Sequence, residues 1–467
     1  MHFEKYREMR KNRSKLYYVG FSIKNISNRF FYSDTSGGII LLIFATAAIF
    51  CANNPNIAPY YKYFFSREAG LNIDGIFRLS MTIEEWINDG LMTIFFLVVG
   101  LEIKREMMVG QLSSMKKATL PLIAAAGGMI FPALIYALFN QGTDTVNGWG
   151  IPMATDIAFA IGVLSILGKR VPIGLKVFLT ALAIADDLGS IIVIAFFYPS
   201  HSLDFTFLLM AAGVTLFLFI MNRMRVNKSM VYLVPGVLLW YLILRSGIHT
   251  TISGVILAIM VPARSTINEF DFSNKLSGMA DYFRMVSNHE CSVLTNPKQQ
   301  LTIHAINVMT LKVNPMLHRF ESFLSPVTNF FIMPLFAFAN AGVVFDTSLF
   351  SLPIPPIVPG IFFGLLIGKP IGIFLSSWLA VKLKIAVMPN RTTWKQLLSI
   401  GVIAGIGFTM AIFVDGLAFL PSGMSPEQIE NYINLGKAVI LVTSIFAAVF
   451  GLIFMSISTK KKSGIYS

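Results

Sequence analysis

The sequence predicts an all-α polytopic membrane protein of about twelve transmembrane helices, on three observations. Hydrophobic residues make up 55% of the chain and charged residues only 13%, about half the charged share of an ordinary soluble domain. Mean hydropathy is +0.68. Apolar runs of about 20 residues recur along the chain, enough to cross a hydrocarbon core of about 30 Å at about 1.5 Å per residue. These runs lack the period-two alternation of a transmembrane barrel.

In chain order the spans are expected at 36–54, 84–107, 118–139, 150–168, 172–198, 204–222, 230–245, 247–263, 323–345, 355–380, 396–420 and 434–457. Only Arg245–Ser246 separates the seventh from the eighth. The expected organisation is a basic tail at 1–32 and a transmembrane domain at 33–458 carrying a long loop at 264–317. A second basic tail follows at 459–467. Two cysteines, Cys51 and Cys291, are too few for a disulfide framework. The first 30 residues are basic and aromatic without an apolar core, so no cleaved signal peptide is expected.

The net charge of +13 is explained by topology rather than by nucleic acid. Lys and Arg collect in alternate connections: the amino-terminal tail, then Lys104 to Lys117, Lys169 and Arg170, and Arg223 to Lys228. They return at Arg264 to Lys312, Lys382 to Lys395 and Lys460 to Lys462. The connections 140–149, 199–203 and 346–354 carry none. The positive-inside rule then puts both termini in the cytoplasm, which an even number of spans satisfies. The basic tail KYREMRKNRSK is suited to anionic lipid.

The fifth span contains two adjacent acids, Asp186 and Asp187, in LTALAIADDLGSIIVIAFF. One carboxylate at bilayer depth costs roughly 2.5–3.5 kcal/mol on insertion scales. A pair therefore needs protons, a cation or a basic partner, and a group that trades protons for a cation inside a membrane is chemically a transport site. Asp186 lies about 15 residues beyond the expected cytoplasmic entry, or about 22 Å along the helix. The oppositely running fourth span carries Thr155 and Asp156, and the tenth carries Lys369 at a similar depth. Burial and neighbouring charge act in opposite senses on such groups, and adjacent acids titrate together. Pro152, the residues Gly368, Pro370 and Gly372 around Lys369, and Gly401, Gly405 and Gly407 mark breaks or close packing.

These segments resemble the NhaA family of sodium/proton antiporters over nearly the whole chain, from Ser33 to about Met455. The resemblance rests on SDTSGGIILL, WINDGLMTIFFLVVGLEIKRE, ATDIAFAIGVL, LTALAIADDLGSIIVIAFFY, RSGIHTTISGV, PLFAFANAGV, LLIGKPIGI and GIGFTMAIF. It implies twelve helices, with the fourth and eleventh broken and crossing at mid-membrane. It also implies an inverted repeat relating helices three to five to ten to twelve. By the same resemblance, Asp187 is the direct ligand of the transported Na+ and Asp186 its partner, together exchanging cation and proton. Thr155 and Asp156 lie at exposed backbone ends. Lys369 either compensates negative charge or pairs with Asp186 and gives up a proton. A plainer reading has Asp156 and Lys369 only balancing helix-end dipoles.

Glu102, Glu106 and Glu321 match the acid cluster associated with pH control in the family, although ion pairing with Lys104 and Arg105 would also account for Glu102 and Glu106. His249 matches a family histidine and would equally serve as a structural hydrogen-bonder. Two departures stand out. Ser322 and Ser325 occupy positions where the family commonly has histidine, the side chain that titrates between about pH 5 and 8. The 264–317 connection is far longer than the family's usual loop, and a small helical or partly disordered cytoplasmic segment is expected there. His289, Glu290, Cys291 and His304 within it match no metal-site template.

The expected activity is therefore exchange of cytoplasmic Na+, and of Li+, for external H+ across the inner membrane, electrogenic and pH-regulated. Another monovalent cation such as K+ is the alternative. No cofactor and no nucleic acid are implied. A homodimer is expected, with contacts sought in 55–82. An intramembrane aspartyl protease using Asp156 and Asp187 would need a GxGD pattern, whereas Ala183–Ile184–Ala185 precede Asp186. A channel would need a repeated filter motif.

Overall fold

The structure is a computed structural model and describes residues 34–73, 77–110, 112–198, 203–287, 293–344, 353–389, 392–419 and 424–459. The two tails 1–32 and 460–467, Ser33, and the loop residues His289, Glu290 and Cys291 lie outside them.

The helices fall where the apolar runs lie. Eight of them are long and apolar enough to cross a membrane: Ser36–Asn53, Ile83–Met108, Lys117–Asn140, Ile173–Phe197, Phe205–Arg223, Met316–Asn340, Ile357–Lys382 and Pro426–Thr459. Two bent pairs, Asp144–Met153 with Ile157–Ile166 and Trp394–Ala404 with Phe408–Ala418, supply the broken fourth and eleventh spans. Their bends are 47° and 49°. The shorter apolar helices Met230–Ser246 and Thr251–Met260 take the seventh and eighth places. The protein is an all-α multi-pass membrane protein.

Several bounds differ from the expected ones, for physical reasons. The twelfth helix has 34 residues, about 50 Å at 1.5 Å per residue, so it outruns the apolar stretch by carrying polar turns beyond the hydrocarbon. The ninth starts at Met316 in the same way. The seventh closes on Gly247, whose φ of 86° is left-handed, a helix stop that glycine takes without steric cost. His249 and Thr250 then lead into the eighth.

Among the described residues two large apolar cores organise the bundle, with a small third cluster of Val99, Ile103 and Ile184 between the second and fifth spans. One joins the first, third to fifth and ninth to twelfth spans. The other joins the sixth, seventh and eighth spans to the start of the ninth. The second span serves both, with Phe96 buried in the first core and Leu97 in the second. Close helix approach is achieved through small residues: a Cβ on Gly127 of the third span would run into the Gly372 carbonyl of the tenth, and a Cβ on Gly372 into the Gly127 carbonyl. Without a hydrophobic drive between helices in lipid, such backbone approach is what holds spans together.

Three helices contain a π-helical turn, at Trp86–Leu91, Thr328–Ile332 and Gly364–Gly368. The last immediately precedes Lys369. Between the first and second spans, Ala58–Ser66 is a short helix, followed by an antiparallel hairpin of β1 (Glu68–Ile73) and β2 (Phe77–Thr82). Trp86 Nε1 donates to the Ala69 carbonyl at 2.7 Å and ties the hairpin to the second span.

The long loop is largely helical. Glu269–Met285 is capped by Asn268, and Pro297–Val313 by Asn296. Thr266 N donates to the Lys312 carbonyl at 2.9 Å, and Leu317 N to the Pro262 carbonyl at 3.2 Å. The ends of the insertion are thus held together, so the helix ends they join need not move apart to admit it.

The Gly127–Gly372 contact yields a stability prediction. Gly127→Val should lower stability by about 1–3 kcal/mol, the usual cost of overpacking. Gly213→Ala, where a Cβ meets nothing within 4 Å, should leave it unchanged. Thermal melting of the purified protein in detergent checks both.

Candidate functional site

The two breaks meet. Ala154 and Asp156 are extended, with ψ of 147° and 101°, so the fourth span loses its internal hydrogen-bond ladder there. Asp156 N instead donates to the Ile406 carbonyl of the eleventh span at 2.8 Å. Gly407 keeps the eleventh span close to the fourth, since a Cβ there would stand 3.3 Å from the Ala154 carbonyl, and Gly405 does the same toward the tenth, 2.6 Å from the Leu365 carbonyl.

Each freed helix end is met by a side chain of suitable charge. Asp156 caps Ile157–Ile166, its Oδ1 accepting from Phe159 N at 2.9 Å. Its Oδ2 accepts from Thr409 Oγ1 at 2.5 Å and Thr409 N at 3.3 Å, at the start of Phe408–Ala418. One carboxylate thus faces two helix N-termini, where the backbone dipole is positive. Lys369 Nζ donates to the Met153 carbonyl, where the first half of the fourth span ends. Thr155 Oγ1 donates to the Ala404 carbonyl at 3.1 Å, where the first half of the eleventh ends. The dipole-balancing role therefore has direct geometric support for both Asp156 and Lys369.

Lys369 does more than balance a dipole. Its Nζ lies 2.9 Å from Asp186 Oδ2, with both side chains wholly buried. Thr155 Oγ1 donates to the same Oδ2 at 2.6 Å. Asp186 is therefore engaged on one oxygen by a cation and a hydroxyl. Oδ1 of Asp186 and Oδ1 of Asp187 both lack a hydrogen-bond partner among the described residues, but Asp187, only 2% exposed, has no ion pair like that of Asp186 and lines a cavity that Asp186 does not. Adjacent on one helix, the two acids point in directions about 100° apart. One meets the lysine and the other meets empty space.

That space is a cavity of about 600 Å³ lined by Asp187, Asp156, Glu102, Arg105, Ser322 and Ser325, among others. A larger apolar cavity of about 870 Å³ lies between Trp86, Trp240 and Leu257. It holds none of the predicted acids, and the polar cavity is the one that serves the site. Oxygen donors around an unpaired carboxylate suit a hard cation. Among the described residues no group of three or more His, Cys, Asp or Glu forms a resident metal centre.

The acid cluster lies at the same cavity. Arg105 donates to Glu321 through Nη1 and bonds Glu106 Oε1 through Nη2 at 3.2 Å. The serines at 322 and 325 line the cavity beside Arg105. His249 is elsewhere. It is buried, its Nδ1 lies 2.9 Å from Thr251 Oγ1 and its ring meets Phe413 edge-on at 5.3 Å. Asp89 stands 3.9 Å from its Nε2 and accepts from Thr250 Oγ1 at 2.7 Å. The structure thus places Glu102 in the wall of the aspartate cavity, links Glu321 to that wall only through Arg105, and leaves His249 out of it.

Two residues escaped the sequence reading. Thr409 sits in GIGFTMAIF, and a threonine just after a glycine-rich break was the available signal. Asp415, a lone acid in the apolar run FTMAIFVDGLAF, is wholly buried.

A pair of broken, crossing helices with buried carboxylates beside a polar cavity defines an ion-handling membrane protein. A sequence model of the Na+/H+ antiporter 1 family matches residues 28–455. A Na(+)/H(+) antiporter NhaA of Helicobacter pylori (strain G27) is 42% identical, over 92% of this chain and 95% of its own. A Na(+)/H(+) antiporter NhaA 1 of Saccharophagus degradans is 42% identical over 94% and 93%. The NhaA of Christiangramia forsetii is 41% identical over 94% and 96%. The chain belongs to the Na+/H+ antiporter 1 family.

The buried ion pair makes a prediction of its own. Lys369→Ala should cost about 3–5 kcal/mol by leaving Asp186 uncompensated. The double variant Asp186→Asn/Lys369→Met should regain most of that loss. A double-mutant cycle on melting temperatures reads the coupling.

Proposed function

We propose that the protein exchanges cytoplasmic Na+, and also Li+, for external H+ across the inner membrane, with both termini in the cytoplasm. The observation that carries this reading is Asp187, a buried carboxylate with an unpartnered oxygen at the wall of a polar cavity, next to an Asp186 already held by Lys369 and Thr155. The relatives named as Na(+)/H(+) antiporters support the choice of ions.

Asp187 takes either a proton or a dehydrated cation, because both neutralise the same carboxylate. Cation and proton therefore compete, and each expels the other. Asp186 and Lys369 form a second exchangeable unit: a cation beside Asp186 displaces the ammonium, which then has reason to release its proton. Two protons per cation, and hence net charge movement, follow from that arrangement. Exchange is obligatory if the change of access occurs only with the acids neutralised. The crossing supplies the pivot, with Asp156, Thr409 and the two half-helix ends held as a unit. Arg105, Glu321 and Glu102 at the cavity make the supply of cations to Asp187 depend on pH. A homodimer through residues 55–82 belongs to the same proposal.

The test is proton movement in proteoliposomes challenged with Na+, Li+ and K+ from pH 6.5 to 9. Na+ and Li+ should move protons in the wild type, and Asp187→Asn should abolish the response. Exchange should weaken as pH falls, since protons occupy the acids. A response to K+ in place of Na+ would reassign the cation, and full Na+ exchange by Asp187→Asn would remove the central residue. Separately, Glu321→Gln should displace the pH dependence while keeping maximal exchange above half of wild type; an unchanged profile would detach the cluster from regulation.

A further inference from the structure

Asp415 is the buried ionisable group that this mechanism does not use. It lies in the outer half of the eleventh span, seven residues beyond the start of Phe408–Ala418, about 10 Å along the helix. It is 0% exposed, and neither carboxylate oxygen has a hydrogen-bond partner among the described residues. Asp156, a buried acid of the same crossing, has both oxygens engaged. An unpaired buried carboxylate is stable only as the neutral acid or with a cation beside it.

Its surroundings pack closely on it and supply no hydrogen-bond partner among the described residues. Gly436 of the twelfth span packs directly on it, where any Cβ would meet the carboxylate. Lys437 is the neighbouring charge that acts on it, yet makes no ion pair with it within 4 Å. The Tyr136 hydroxyl of the third span is no partner for it either, since it donates to the Thr145 carbonyl of the 3₁₀ segment Asp144–Met153 at 2.7 Å.

The polar cavity reaches Asp187 and Asp156 but not Asp415. Asp415 lies instead in Phe408–Ala418, the second half of the broken eleventh span, which on the proposed topology is its outer half. We propose that Asp415 is a second carboxyl of the transport path, binding a proton or a monovalent cation between the outer face and the Asp186/Asp187 site. This rests on the exchange activity proposed above. In its neutral form the carboxyl carries one proton; when a cation arrives from outside, that proton leaves to the outer solution and the cation takes its place.

The experiment compares the two faces. Full-length wild type, Asp415→Asn and Asp415→Ser are assayed in everted vesicles, which present the cytoplasmic face, and in right-side-out vesicles, which present the outer one. The half-saturating Na+ concentration is read in each. Both variants should raise the outer value roughly fivefold or more, the size of an ordinary coupling between sites, and leave the cytoplasmic value within about twofold. An equal change on both faces, or none on either, overturns the proposal. So does loss of folded protein in both variants, which would make Asp415 a structural residue. A wild type inactive with every cation would instead sink the exchange reading itself.

Discussion

The cost of placing charge inside a membrane governs this structure. Asp156, Asp186, Asp187 and Lys369 are all at most 2% exposed, and none of them is tolerable at bilayer depth without compensation. The fold meets the requirement with its own backbone. By breaking two helices at the same place it creates two positive and two negative helix ends. It then assigns Asp156 to the positive ends, and Lys369 and Thr155 to the negative ones. The remaining carboxylates are settled by pairing Asp186 with Lys369. Of the acids at the crossing, Asp187 is the one that lines the polar cavity with neither an ion pair nor, among the described residues, a hydrogen-bond partner on its Oδ1.

Much of this was legible in the sequence, because the bilayer imposes a length on each span. The predicted fifth span, 172–198, and the helix Ile173–Phe197 differ by one residue at each end. The acids and the lysine were conspicuous for the same reason, as charges in apolar runs. What was hidden is contact between distant segments. Asp156 and Thr409 are 253 residues apart, and nothing local marks them as partners. Sequence also left two roles open for Lys369, and the 2.9 Å approach to Asp186 shows that the lysine fills both the dipole and the pairing position. The division after the seventh span turned on one left-handed residue, Gly247, whose conformation is visible only in the backbone.

The acid cluster is a case where the geometry adds something that pattern alone did not. Glu102 and Arg105 line the same cavity as Asp187, so the groups proposed for pH response and for transport face one volume. On the exchange reading, titration at the cavity mouth changes the potential along the cation's approach without any relay through the bundle. The serines at 322 and 325 then matter by what they withhold. With no imidazole at those positions, the nearest one on this helix is His318, whose Nε2 lies 3.5 Å from Ser322 Oγ.

The π-helical turn at Gly364–Gly368 has a mechanical meaning for the residue that follows it. Such a turn stores one surplus residue within an otherwise continuous helix. Letting that residue pass along the helix would rotate the segment beyond it by about 100° and advance it by about 1.5 Å. Lys369 is the first residue beyond the turn. On the exchange reading such a rotation would carry its ammonium away from Asp186 while the tenth span stays a continuous helix, at the expense of the close Gly127–Gly372 contact beyond it.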